Sequence, residues 1–309
     1  GTFAQRLGPL VPGCAAIGGA DYGPTDDRES IAAVRAALDV GVNYFDTADI
    51  YGLGHSEEIL GRALGPRARD VVIATKVGVR WVGGRTTRDL SPAWVVEALE
   101  GSLRRLGVDC IPLYQIHWPD PATPIEETMA ALERCREAGK VLHLGCCNFP
   151  IDLVEQAQRV GRLESAQLPL SLGQREWEPV ARACDSGFGM SVLCYNPLAQ
   201  GLFGGKYTRD TVFDQQDLRS RSALFHGQQL EANLAILDRL VSVAARLGRS
   251  PAQVAIRWVI ERPGVTCAIA GARRASQVMD NVAASGWRLD EATSRLLTLT
   301  AGRHRVVVL

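Results

Sequence analysis

Eight short runs rich in β-branched and apolar residues recur along the chain, separated by helical patterns of roughly 10 to 20 residues. Parallel strands need a long crossover and a helix supplies it, so this alternation predicts repeated βα units. The strands are predicted at Cys14 to Ile17, Tyr44 to Thr47, Val71 to Thr75, Ile111 to Ile116, Val141 to Cys146, Ala166 to Leu168, Ser191 to Tyr195 and Cys267 to Ala270. Helix starts are expected at Thr25 or Asp26, at Ser56 with Glu57 and Glu58, at Ser91-Pro92 and at Thr123-Pro124. Gly41, Gly107, Gly139 and Gly161 stand where helices should stop, since glycine takes the left-handed cap conformation at little cost. Eight such units predict an α/β chain closed into a parallel (β/α)8 TIM barrel. The rival open, doubly wound sheet usually carries a Gly-rich turn after its first strand, and here only Ile17-Gly18-Gly19-Ala20 appears.

No Pro/Ser-rich linker or charge run divides the chain, so residues 1–309 read as one domain. Residues 201–229 are polar, contain Gly and Arg, and are too long for a routine connection, so they are expected to form a loop covering a binding site. Lys+Arg 34 balances Asp+Glu 34, which leaves no overall positive field to hold nucleic acid or an anionic membrane. No apolar stretch approaches the ~20 residues needed to span a bilayer. Val11 to Cys14 (VPGC) loosely resembles a lipoprotein cleavage site, but Pro9, Pro12 and Gly13 break the apolar patch and no basic region precedes it. A start at Gly1 without Met reads as a trimmed or tag-derived terminus. The eight cysteines show no CxxC and read as reduced thiols in a cytoplasm, with no metal-ligating set.

Function in a βα barrel collects where the strands end, at their carboxyl side. There the second strand ends in Asp46, the third leads into Lys76 and the fourth reaches His117, with Tyr51 in the loop after Asp46. Taken singly, each has a bland reading: a loop cap, a packed tyrosine, a solvated strand end, a core histidine. Together at one rim they predict a site. Asp46 with Lys76 suggests a partly buried ion pair, because two unpaired charges removed from water cost several kcal/mol. An ammonium beside a phenol favours the phenolate, so Tyr51 is expected below the usual value near 10 and usable as a general acid.

GVNYFDTADIYG (Gly41 to Gly52), SEEILGRAL (Ser56 to Leu64), ATKVG (Ala74 to Gly78) and YQIHWPD (Tyr114 to Asp120) resemble the aldo-keto reductases. So do GKVLHLGCCNF (Gly139 to Phe149), YNPLAQGLFGGKY (Tyr195 to Tyr207) and AGARRASQVMDN (Ala270 to Asn281), in family order over nearly the whole chain. The resemblance implies a barrel binding an extended NADPH (NADP+), with NADH possible, and a small-molecule carbonyl or sugar substrate. It implies that Tyr51 is the proton donor, that Lys76 lowers its pKa, that Asp46 holds Lys76 and that His117 orients the carbonyl. Asn148 and Gln167 match the family's carboxamide contacts, and Tyr195 matches the aromatic stacked on the nicotinamide. Asn196, Pro197, Leu198, Gln200, Gly201 and Leu202 resemble the pyrophosphate loop, with Lys206 placed to close over it. Gly271, Ala272, Arg273, Gln277 and Asn281 resemble the adenosine grip. Arg273, or Arg274 sharing or taking its place, is the natural partner of a 2′-phosphate, which favours NADPH.

The chain departs from the family at Cys147-Asn148, where Ser-Asn is usual; a thiol is the poorer hydrogen bonder. Only Gly1 to Pro9 precede the first strand, so the barrel floor is expected to be partly open. Cys146 and Cys147 read as packing rather than redox groups. Tyr22, Trp81 and Trp118 suit a pocket for an apolar group or a sugar ring. The leading expectation is a reductase of aldehydes, ketones or open-chain sugar carbonyls. Alternatives are the reverse alcohol or aldose dehydrogenase reaction, a Schiff-base lyase using Lys76, and a cofactor-sensing regulatory subunit. Oligomeric state is left open.

Overall fold

The computed structural model describes residues 8–20 and 22–303; the short stretch ahead of the first strand falls mostly outside them, and with it the expectation of an open barrel floor. Eight parallel strands close into a barrel in the order β1-β10-β9-β8-β7-β6-β3-β2. They are β1 (Leu10–Gly13), β2 (Tyr44–Asp46), β3 (Val72–Val77), β6 (Ile111–Ile116), β7 (Val141–Cys147), β8 (Ser165–Pro169), β9 (Ser191–Tyr195) and β10 (Cys267–Gly271). An antiparallel hairpin, β4 (Val79–Val82) and β5 (Arg85–Arg88), rises from the rim directly after β3. Around the barrel run α1 (Asp27–Asp39), α2 (His55–Leu64), α3 (Pro92–Leu106), α4 (Ile125–Glu137), α5 (Ile151–Val160), α6 (Glu178–Phe188), α7 (Gly227–Leu247), α8 (Pro251–Ile260), α9 (Ala275–Val282) and α10 (Glu291–Arg303).

The first strand lies earlier than the sequence predicts: Ala15–Ile17 is a short 3-10 turn, and Leu10–Gly13 forms the strand. Pro12 looks like a breaker, yet β1 pairs over four residues with β10 and only through Gly13 and Asp46 with β2, so little ladder bonding is asked of its missing N–H. Asp26 and Ser91 cap α1 and α3 as expected, each side-chain oxygen accepting from backbone N–H groups of the first turn. Ser56 does not cap: α2 begins at His55, and the Ser56 hydroxyl is buried, donating to the Cys14 carbonyl at 2.8 Å and meeting the Thr47 hydroxyl at 2.9 Å. Thr123 donates to Asp120, and α4 starts after Pro124. Gly161 ends α5 with extended backbone rather than a left-handed cap, its position set by Glu133, which leaves no room for a Cβ.

The barrel interior is filled by Val11, Tyr44, Ala74, Leu113, Leu193 and Ile269. A larger cluster lies between the outer face of the sheet and the helices. With its lower part filled, the barrel leaves space only at the carboxyl ends of the strands, and the site lies there. Between β9 and α7 the chain makes three short 3-10 turns, and α7 begins at Gly227, within the stretch 201–229. In that stretch Tyr207, Phe213 and Phe225 pack ring on ring at 4.8 to 5.6 Å between centroids.

Candidate active site

Lys76 is the centre of the rim cluster and is fully buried. Its ammonium donates to Asp46 Oδ1 at 2.7 Å and to the Thr47 carbonyl at 2.6 Å. The second oxygen of Asp46 accepts from Gln167 Nε2, also at 2.7 Å. This buried charge pair is therefore hydrogen-bonded on both carboxylate oxygens, the condition under which a charge pair out of water is tolerated. Tyr51 lies against it, with Lys76 Nζ 5.0 Å from the phenol ring centroid. The His117 ring stands edge-on to Tyr51, with centroids 5.7 Å apart. Asp46, Tyr51, Lys76 and His117 are thus brought together from the ends of β2, β3 and β6, as the sequence predicts.

Tyr51 is held by a feature that sequence reading took for a weak trace of a dinucleotide turn. Gly52 has φ +60°, and a Cβ there would lie 2.0 Å from the carbonyl oxygen of Gly18. A Cβ on Gly18 would in turn meet the backbone of Tyr51 and Gly52 at 3.0 Å. The two glycines let the loop after β1 and the turn after β2 touch backbone to backbone, which fixes where the phenol points. Behind them Glu57, fully buried, accepts from Thr75 Oγ1 and from Arg105 Nε, tying α2 to β3 and α3. Asp49 shares this region; burial, then the charge of Glu57, push its carboxyl up to about 8.

The electrostatics of the cluster differ in one respect from the expectation. Burial raises the Tyr51 phenol and Lys76 pulls it down, as anticipated, but burial prevails and the phenol is held above its ordinary value. Tyr51 is therefore a protonated phenol at neutral pH, which is the form a proton donor needs. Burial pulls the Lys76 ammonium down, but Asp46 and its other neighbours outweigh this and keep it charged. His117 is pushed well below its ordinary value by burial, then by the charges of Lys76 and Arg88, so its imidazole is neutral. Its Nδ1 has no hydrogen-bond partner among the described residues.

A cavity of about 400 Å³ opens above this cluster and runs across the rim. Tyr22, Trp118, Asn148, Gln167, Tyr195, Asn196, Leu198, Gln200, Gly201, Lys206, Gly271, Arg273 and Gln277 all line it, together with Asp46, Tyr51 and His117. Asn148 donates to the His117 carbonyl at 3.1 Å and accepts from the Tyr195 hydroxyl at 2.9 Å, so one amide proton and one lone pair remain for a ligand. Asn148, Asn196, Ala199 and Gln200 all hold positive φ, a concentration of costly backbone along one wall. Trp81 does not line the cavity: it is 50% exposed on the β4–β5 hairpin. Asn281 does not line it either, and instead donates to the Gly271 carbonyl at 3.3 Å, bracing the end of β10. Arg274 points elsewhere and pairs with Glu29 at 3.6 Å.

Sequence reasoning missed Arg219 and Tyr207. Arg219 lines the cavity, is gripped by Asp217 and donates to the Tyr207 hydroxyl. Arg273 reaches across from the end of β10 to the Tyr22 and Gly23 carbonyls. Lys206, Arg219 and Arg273 face one cavity in which Asp46 is the only lining carboxylate among the described residues, itself occupied by Lys76 and Gln167. That donor set suits a ligand with several phosphate charges, and a paired amide wall at the other end suits a carboxamide.

A closed barrel with a protonated phenol, a buried ammonium and a neutral imidazole at the mouth of a phosphate-suited cavity defines an oxidoreductase of carbonyl and alcohol groups. The Aldo/keto reductase family model matches residues 9–298, and the chain belongs to that family, whose members use NADP(H) or NADH. It is 37% identical to aldo-keto reductase YhdN of Bacillus subtilis (strain 168), over 94% of this chain and 88% of that protein. It is 32% identical to the NADH-specific methylglyoxal reductase of Escherichia coli (strain K12), over 96% and 95% of the two chains. The solved structure of the glycerol dehydrogenase AKR11B4 from Gluconobacter oxydans superposes with a TM-score of 0.89 at 38% identity, covering 96% of this chain and 92% of that one.

Proposed function

We propose that this chain reduces an aldehyde, a ketone or the open-chain carbonyl of a sugar with NADPH, Tyr51 delivering the proton. The observation that carries this reading is the phenol of Tyr51 set between the Lys76 ammonium and the His117 ring inside the cavity. The nicotinamide, when bound, supplies the hydride. Tyr51, a neutral phenol, donates its proton to the carbonyl oxygen as negative charge develops there, and the fixed ammonium of Lys76 stabilises the phenolate left behind. Neutral His117 turns an N–H toward the same oxygen and orients it. Asn148 and Gln167 would hold the carboxamide of the bound cofactor, and Tyr195 would offer its ring an aromatic face. Gln167 has a second task, since its bond to Asp46 couples the cofactor wall to the ion pair.

At the far end Arg273, joined by Lys206 and Arg219, takes the phosphates, which supports NADPH over NADH. Asp46 and the Thr47 carbonyl keep Lys76 protonated and fully buried, so it offers a Schiff-base lyase no free amine. The reverse reaction, alcohol oxidation, uses the same groups, and the likeness to a protein described as a glycerol dehydrogenase supports its being measurable. All eight cysteines are free thiols, which supports a reducing compartment such as the cytoplasm. No helix among the described residues is long and apolar enough to cross a membrane.

The test is Tyr51→Phe. Carbonyl-dependent NADPH oxidation should fall by a factor of about 10³ or more, while NADPH binding, followed by its fluorescence, changes little. Undiminished turnover would remove Tyr51 from the proton-donor role. Tight NADPH binding by the unaltered protein without turnover of any carbonyl would favour the sensor reading instead.

A further inference from the structure

The β4–β5 hairpin places a cation at the edge of the site that the mechanism does not use. Arg88 ends β5 opposite Val79, and the bond from the Asp89 N–H to the Gly78 carbonyl, 3.2 Å, fastens this end of the hairpin to the rim beside Lys76. Its guanidinium lies 5.0 Å from the centroid of the Trp118 ring. Trp118 follows His117 directly and lines the cavity. Among the described residues the Arg88 side chain has no hydrogen bond and no salt bridge. Its neighbour Arg80, by contrast, is paired with Asp89 at 3.0 Å.

Asp120 is the carboxylate whose charge Arg88 feels, but its oxygens are spent on other donors and neither of them bonds the guanidinium. Asp120 accepts from the backbone N–H groups of Leu90 and Ala122, at 3.0 Å each, and from the Thr123 hydroxyl at 2.7 Å. The field of Arg88 nonetheless reaches the chemistry, since it is one of the charges that keep His117 neutral. A planar fork with all its donors open, resting on an aromatic wall next to the imidazole, is suited to receive an anion.

We propose that Arg88 is a specificity-determining residue that receives an anionic group, a carboxylate or a phosphate monoester, at the end of the substrate remote from the reacting carbonyl. The body of such a substrate lies along Trp118, its carbonyl oxygen meets Tyr51 and His117, and its charge meets the fork of Arg88. This rests on the carbonyl-reductase reading and narrows its substrate class.

The experiment compares matched aldehydes: 4-carboxybenzaldehyde against 4-methylbenzaldehyde for the carboxylate arm, and glyceraldehyde 3-phosphate against glyceraldehyde for the phosphate arm. The unaltered enzyme should show the higher kcat/KM for the charged member of at least one pair, and the arm that shows it identifies the anion. Arg88→Met should reduce that preference about tenfold, mainly through KM, and Arg88→Lys should fall between, keeping the charge but losing the fork. Added salt should shrink the preference in the unaltered enzyme and leave the Arg88→Met ratio flat. Equal turnover of both members in both pairs, or an Arg88→Met effect that is the same for charged and neutral substrates, overturns the proposal and leaves the reductase reading standing. Absence of turnover for all four aldehydes overturns the proposal, and if ketones and sugars are not reduced either, the reductase reading falls with it.

Discussion

Two aspartates three residues apart, one ending β2 and one in the turn that follows, show how far environment decides what a side chain does. Asp46 meets an ammonium and a side-chain amide and serves as the anchor of Lys76. Asp49 faces Glu57 from within the fold, and one of its carboxyl oxygens has no hydrogen-bond partner among the described residues. Burial first, and the neighbouring carboxylate second, raise the Asp49 carboxyl from 3.8 to about 8. Between those two values the folded protein holds a proton that the unfolded chain has released, so stability falls as pH rises through the window. Asp49→Asn removes the proton exchange while keeping the shape. Urea midpoints taken from pH 5 to pH 9 should therefore show the variant gaining on the parent as pH rises, by on the order of a few kcal/mol at the alkaline end. A constant difference across pH would mean that Asp49 is not held neutral. Asp46, Tyr51, Lys76 and His117 were legible in the sequence because their residue types carry the chemistry. The net direction at Tyr51 was not, since burial against attraction is a balance only the three-dimensional surroundings decide.

At the scale of elements, seven of the eight barrel strands were legible because they are short, largely buried runs rich in apolar residues; the first was not, because Pro12 and Gly13 in Leu10–Gly13 look like breakers. The β4–β5 hairpin was not, although Gly83-Gly84, both at positive φ, are the residues a two-residue hairpin turn demands. β5 is polar and mostly exposed and β4 buries only Val79, so no hydrophobic period announced them. Trp81 was placed in the pocket for the same reason: a loop was expected where a hairpin carries that side chain into solvent. On the proposed reading, the turn after β2 is the element on which catalysis depends most. Because a Cβ at Gly52 would lie 2.0 Å from the Gly18 oxygen, Gly52→Ala must push the turn off the loop after β1 and carry Tyr51 with it. A displacement near 1 Å of a reacting group costs roughly 10²-fold, so kcat should fall by about that factor. Cofactor binding, which we assign to residues at the ends of β7 to β10 and in the loop after β9, should be nearly unchanged in fluorescence titration. A loss of cofactor affinity equal to the loss of kcat would show that the turn supports the cavity as a whole rather than the phenol.

Over the whole molecule the charges cancel, 34 against 34, yet the cavity does not share that balance. Lys206 and Arg219 come from the loop after β9 and Arg273 from the end of β10, and all three face one space. Burial, then the charge of Arg219, hold the Arg273 guanidinium below its ordinary value, and Asp217 offsets this only in part. Such an arrangement is stable enough without a ligand because Asp217 grips Arg219 and the carbonyls of Tyr22 and Gly23 occupy Arg273. On the proposed reading a doubly charged phosphate completes it, and low-dielectric walls concentrate its field within the cavity. Two consequences follow for the choice of cofactor. Raising ionic strength should increase the KM for NADPH more steeply than that for NADH, because the 2′-phosphate is the charge by which they differ. Arg273→Leu should raise the KM for NADPH by about one order of magnitude, equivalent to ~1.4 kcal/mol, and that for NADH much less. Initial-rate measurements with both cofactors at two salt concentrations decide the matter, and an equal rise for both would move the 2′-phosphate contact from Arg273 to Arg219, whose Asp217 clamp would then be the group that opens on binding.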